Sequence, residues 1–184
     1  YDEDTYTQSM PDNSKYEGVL KGEKAPVFPH RVSSKKNYYG LRYLPGGNTI
    51  VLKGAKAIIK GAALGQGNHT DFLCVSLSTP DYVGHTFTPN AMETEDMYLR
   101  LDRDLASFLR YLDNHIGGEE YTVFLTADHG AAHNAQHMQD LKIPAGNETE
   151  DATLKKLNAY LKDMTNKDSV VEAIRTTIQT AVTT

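Results

Sequence analysis

A chain of 184 residues is long enough to bury a core; its 39% hydrophobic content is slightly lean, and its 23% charged content is ordinary for a protein folded in water. The net charge of −5 argues against a nucleic-acid binder, which would carry a basic face. The single cysteine, Cys74, excludes an internal disulfide, and no window approaches the roughly 18 consecutive apolar residues that a membrane-spanning helix needs.

Residues 1–47 show little periodicity, and Pro11, Pro26, Pro29 and Pro45 interrupt what there is. They predict a long irregular segment or insertion with short extended pieces, as around Tyr38 to Leu44. So long a stretch suits a segment lying over the elements of a larger fold. Thr49 then opens a helix of about four turns whose apolar face is Val51, Ala55, Ile58, Ile59 and Ala62, with Gly65 as a stop. Phe72 to Leu77 is almost wholly apolar and predicts a strand over 71–77 covered on both faces, with Cys74 a small core residue.

The clearest helix runs from about Glu93 to His115. Met97, Leu101, Leu105, Phe108, Leu109 and Leu112 recur at steps of three and four, Glu93, Glu95 and Asp96 crowd the positive end of the helix dipole, and Gly117-Gly118 ends it. A second strand follows over 121–126. Strand, helix, strand is then the central unit, a crossover that normally joins parallel neighbours. The fold class expected is α/β: part of a mostly parallel sheet flanked by helices, incomplete in this chain. Beyond Gly130 the chain turns polar, and 151–164 and 169–181 read as two short helices. The organisation expected is an irregular segment (1–47), an α/β core fragment (48–146) and a helical segment (147–184).

Two patches carry chemistry. Asp81-Tyr82-Val83-Gly84-His85 follows the first predicted strand, and Asp128-His129-Gly130 follows the second. Both fall at the carboxyl edge of a parallel sheet, where ligands bind in open α/β folds. Carboxylate and imidazole are zinc ligands, and a catalytic zinc usually takes three protein groups. Asp81 and His85, four residues apart, meet one ion if the strand end curls into a helical turn, with Gly84 letting the backbone bend. Asp128 and His129 converge only where the backbone turns, a freedom Gly130 supplies. Two ions about 4 Å apart form a clamp for in-line phosphoryl displacement. His133 and His137 read as solvated surface residues, and His30, His69 and His115 lie outside the constellation.

The stretch Ser78-Thr79-Pro80-Asp81-Tyr82-Val83-Gly84-His85 resembles the first metal motif of the alkaline phosphatase superfamily, and Phe124-Leu125-Thr126-Ala127-Asp128-His129-Gly130 resembles its second. Pro45-Gly46-Gly47-Asn48-Thr49 and Ile143-Pro144-Ala145-Gly146 are similar to the phosphate-irrepressible branch, within the type I phosphodiesterase/nucleotide pyrophosphatase group. The resemblance implies two zinc ions, one on Asp81, His85 and a distant third His, the other on Asp128, His129, an early Asp and the nucleophile. It implies a covalent phospho-enzyme, a phosphate ester substrate and a periplasmic or secreted location. The early Asp, the nucleophile and the third His have no match here, so no catalytic residue is assigned within this chain. Lys53 and Arg100 read as helix-surface charges rather than phosphate ligands. The chain, which begins Tyr1-Asp2-Glu3-Asp4, is expected to be an internal fragment of an active hydrolase, to need the remainder of the parent chain as partner, and to be inactive alone. Two alternatives stand beside the monoesterase: a phosphodiesterase or nucleotide pyrophosphatase of the same superfamily, and a non-catalytic binding or scaffold domain.

Overall fold

Helices are the regular elements among the described residues, and the longest of them is built on the leucine repeat. The structure, a computed structural model, describes residues 5–31 and 38–171. After a 3-10 turn at Tyr38–Tyr43 come α1 (Gly46–Gly61), α2 (Thr79–Phe87), α3 (Met92–His115), α4 (Ala135–Asp140) and α5 (Glu150–Thr165). The chain divides into two compact units, residues 1–131 and 132–184.

In the first unit, α3 matches its expected span within one residue. Its repeat buries Met97, Leu101 and Leu112, while Leu109 faces outward. Gly117, at φ +121°, takes a backbone conformation closed to most side chains and so ends the helix. The amphipathic α2 lays Val83 and Phe87 against Ala91, Met97 and Leu101, with Leu20, Leu77 and Leu105 packed around them. Each large side chain so buried contributes about 1.5–3 kcal/mol.

The α1 expectation was right in type and partly right in face, with Ala55 and Ile59 buried as read. The helix starts at Gly46 and buries Asn48, Leu52, Ala55 and Ile59, leaving Val51 and Ile58 exposed. Polar contacts to α3 set its rotation. Thr49 Oγ1 donates to Asp104 Oδ2 at 2.5 Å, the Lys56 ammonium donates to the Ser107 carbonyl and hydroxyl, and the Tyr111 hydroxyl donates to the Lys56 carbonyl.

Neither predicted strand is formed among the described residues, which contain helices and no strand. Residues 71–78 and 121–127 carry no regular assignment. Within the first, 73, 75 and 77 are half-buried while 72, 74 and 76 are exposed, an alternation of period two. A strand needs a partner to complete its backbone hydrogen bonds, and none lies alongside among the described residues. Cys74 is accordingly exposed rather than a core residue. The extended piece expected around Tyr38 to Leu44 is the 3-10 turn instead.

Residues 6–31 are irregular as expected, and the first turn of α3 ties them down. The Tyr6 hydroxyl donates to the buried Asp96 carboxylate at 2.7 Å, and Arg100 Nε donates to the same group at 2.8 Å. Arg100, read from sequence as a surface charge, therefore serves this joint. Glu95 accepts the backbone N–H groups of Thr7, Gln8 and Ser9 at 3.0, 3.0 and 2.7 Å. Burial raises the Glu95 pKa, but those hydrogen bonds outweigh it and hold the carboxyl below its ordinary value. Glu95→Ala is expected to cost about 1.5–3 kcal/mol, the range for hydrogen bonds to a charged group. Urea titration checks the loss, and limited proteolysis should show earlier cleavage within 5–31.

In the second unit, α5 spans the first of the two expected helices and is capped at both ends. The Thr149 hydroxyl accepts the Ala152 N–H, and Asn166 closes the helix at φ 55°. Asn134 caps the six-residue α4, which sequence reading passed over, by accepting from the Gln136 and His137 N–H groups. The helix expected over 169–181 falls almost wholly outside the described residues; 169–171 are not helical.

Candidate functional site

The conditional expectation for the first patch is met: the chain after Leu77 curls into α2, which puts Asp81 and His85 one turn apart on one face. His85 Nε2 lies 3.4 Å from Asp81 Oδ1. The second patch reaches the same atom, with His129 Nε2 3.7 Å from Asp81 Oδ1 and 3.7 Å from Asp128 Oδ2. The four predicted residues therefore meet at one corner, with the Asp81 carboxylate between two imidazoles. Asp81, His85 and His129 have about half-exposed side chains, and Asp128 is 90% exposed.

These distances can be tested against metal geometry. Zinc bonds of about 2.0–2.2 Å in a tetrahedron set ligand-to-ligand edges of roughly 3.3–3.6 Å. The observed 3.4 and 3.7 Å separations lie at or just above that range. The tautomer suits a ligand as well. The His129 Nδ1–H donates to the Gly130 carbonyl at 2.8 Å, which leaves the Nε2 lone pair of the neutral ring facing the carboxylates. The Gly130 carbonyl and the Asp128 and Asp81 carboxylates raise the His129 pKa. Exposed ion pairs of this kind contribute little to folding. Carboxylate and imidazole are metal-ligand types, and here they meet in pairs: no three of the corner's ligand atoms lie within 4.8 Å of one another.

Gly84 and Gly130 do not act as sequence reading supposed. Neither takes a positive φ, and nothing lies within 4 Å of where a Cβ would stand. The glycine that matters is Gly47. A Cβ there would meet Thr79 Oγ1 at 2.5 Å and the Leu41 carbonyl at 2.8 Å, so its absence seats the start of α2. Gly47→Ala is expected to lose about 1–3 kcal/mol by overpacking. Gly54→Ala, with open space around the Cβ, should gain up to about 1 kcal/mol from helix propensity. Opposite signs in paired urea titrations check both.

Sequence reading also missed the brace beside Asp81. The Arg42 guanidinium sits 3.0 Å from the Tyr39 ring centroid and 4.3 Å from that of Tyr82, and donates to the Tyr43 hydroxyl at 3.0 Å. Tyr43 and Tyr82 meet edge to face at 5.7 Å. The signal was present as Tyr38, Tyr39 and Tyr43 crowded around one arginine. His30 was assigned no chemistry, yet its ring is buried, stacked on Phe87 and bonded to Glu23 and Glu93. In the second unit His133 is exposed and His137 half-buried. A cavity of about 440 Å³ lies between the irregular segment and α1 and α3, lined by Phe28, His30, Tyr43, Glu93 and Arg103 among others, and includes none of the four Asp/His residues.

Comparison with known proteins gives the chain's family. The chain is 46% identical over 172 residues to alkaline phosphatase PafA of Elizabethkingia meningoseptica, covering 91% of this chain and 31% of that protein. It is 49% identical over 148 residues to alkaline phosphatase PhoV of Synechococcus elongatus, covering 79% of this chain and 27% of that one. The crystal structure of wild-type PafA superposes with a TM-score of 0.81 at 46% identity, over 89% of this chain and 31% of the other. The chain thus spans about a third of the length of these relatives. The family model described as type I phosphodiesterase / nucleotide pyrophosphatase matches residues 3–182, and the chain belongs to that family.

Proposed function

We propose that this chain is the metal-binding portion of a zinc-dependent phosphate monoester hydrolase acting through a covalent phospho-enzyme. Asp81 and His85 are assigned to one zinc and Asp128 and His129 to the other. The observation that carries this reading is the corner itself, where His85 and His129, from two separate motifs, come within 3.4 and 3.7 Å of one Asp81 oxygen. When bound, the ions supply Lewis-acid polarisation of phosphoryl oxygens and neutralise charge developing on them.

This chain's residues hold and orient. The helical turn of α2 fixes Asp81 and His85 at one spacing, and the Arg42 and Tyr82 stack restrains the residue beside Asp81. The Gly130 carbonyl holds the His129 ring in one tautomer. The nucleophile and the remaining zinc ligands are assigned to the two-thirds of the relatives' length that this chain does not span. In the whole protein, 71–77 and 121–126 become neighbouring strands of a mostly parallel sheet, a reading supported by their apolar runs and by the superposition on PafA. The periplasmic or secreted location rests on family resemblance. Among the described residues no helix is long and apolar enough to cross a membrane.

Metal analysis and turnover test this. The full-length protein is expected to hold about two zinc ions and to hydrolyse a chromogenic phosphate monoester faster than a diester. Faster diester turnover would instead assign the phosphodiesterase activity, and absence of both zinc and turnover would leave a scaffold. The isolated 184-residue chain is expected to be inactive with added zinc, and robust turnover would overturn the fragment reading.

A further inference from the structure

A second group of acidic side chains lies outside the Asp/His corner. Asp12, Glu17 and Glu93 each place a carboxylate oxygen within 4.8 Å of the other two, the one such trio of His, Cys, Asp or Glu among the described residues. Asp12 accepts the backbone N–H of Phe28 at 3.1 Å and of Asn13 at 2.8 Å. Glu17 Oε2 accepts the Ser14 N–H at 2.8 Å, and Glu93 Oε1 faces His30 Nε2 at 2.8 Å. That leaves Glu17 Oε1 and Glu93 Oε2, both buried and both without a hydrogen-bond partner. Their residues are only 9% and 5% exposed.

Two buried carboxylate oxygens with no donor are costly, because nothing replaces the water they gave up. Their neighbours do not cancel the charge. His30 is bonded to Glu23 and Glu93, and Asp12 and Glu17 add their carboxylates beside Glu93. Burial first, and then Glu93, push the Glu17 carboxyl up to about 7, the response of a site short of positive charge. A bound dication would relieve that shortage and occupy both orphan oxygens.

The donor set selects the ion. All three ligands are carboxylates, hard oxygen donors that suit calcium or magnesium rather than thiolate- and imidazole-seeking metals. Two come from an irregular segment and one from the start of a helix, a spacing that calcium's variable coordination accepts and strict octahedral magnesium does not. We propose that Asp12, Glu17 and Glu93 form a calcium site that clips the irregular segment 5–31 to the first turn of α3. The site explains how so long a stretch without regular structure keeps one conformation. It does not depend on the zinc assignment.

Calcium chloride is the probe, added to full-length protein in calcium-free buffer with zinc held constant. One calcium per chain is expected to survive gel filtration, and millimolar calcium should raise the thermal midpoint by several degrees through mass action. Glu17→Gln removes a buried charge and should fold without calcium at least as well as the parent, yet lose the calcium-dependent rise. Asp12→Asn provides a second variant with the same expected loss. Asp81→Asn should keep the calcium response, which separates this site from the Asp/His corner. No midpoint shift in the parent, or an equal shift in Glu17→Gln, would overturn the proposal.

Discussion

Asp81→Asn in the full-length protein is expected to lower zinc affinity by at least about 100-fold, beyond the 10- to 100-fold typical of losing a supporting group. Monoester kcat/KM should fall in step. The reason is geometric. One Asp81 oxygen stands 3.4 Å from His85 and 3.7 Å from His129, so a single substitution disturbs both ligand pairs. Asn keeps the shape and one carbonyl but removes the charge a dication needs. The fold should hardly notice, because the exposed carboxylate–imidazole contacts contribute little. Zinc titration beside a urea melt decides the matter. Lost affinity with an unchanged melt supports the ligand role, whereas a large fall in stability with unchanged zinc binding would make Asp81 a structural residue.

His30→Ala is expected to be the most destabilising single change outside the apolar core, at about 3–5 kcal/mol, the range for breaking a buried ion pair. The His30 side chain is 2% exposed, and its two ring nitrogens meet Glu23 at 2.6 Å and Glu93 at 2.8 Å. Removing it leaves two carboxylates facing each other across an emptied space, beside Glu17. Burial lowers the His30 pKa, but hydrogen bonds and charge from Glu93 and Glu23 outweigh it, so the net shift is upward from 6.5. A raised folded pKa means that this stability is complete below about 6.5 and is lost as pH rises through the folded value. In chelator-treated protein, urea melts should therefore show the gap between parent and His30→Ala narrowing as pH rises above 6.5. A gap that widened over that range would refute the assignment of a buried imidazolium.

The elements most legible in sequence were those whose own residues decide them. The third helix carries a three- and four-residue apolar repeat and a glycine that stops it at φ +121°, and both act as read, whereas the acids at its start hold the irregular segment. Asp81 and His85 were legible because a four-residue step has one meaning once the chain is helical. The rotation of α1 was not, because its apolar residues nearly encircle it and the Asp104 and Ser107 contacts from α3 choose the face. The strands could not be confirmed from within, since apolar runs announce extended chain but pairing is a property of neighbours. The buried charges were least legible of all. Glu17, Glu23 and His30 sit in a segment without periodicity, and only tertiary folding brings them to Glu93.

The open runs at 71–77 and 121–126 matter for anyone handling this polypeptide by itself. Phe72 is 86% exposed, Phe124 87% and Leu125 78%, which is greasy, unsheathed backbone with spare amide groups. Such surfaces template onto one another, so copies of this 184-residue chain on its own should clump into insoluble β-rich deposits at high concentration or on warming.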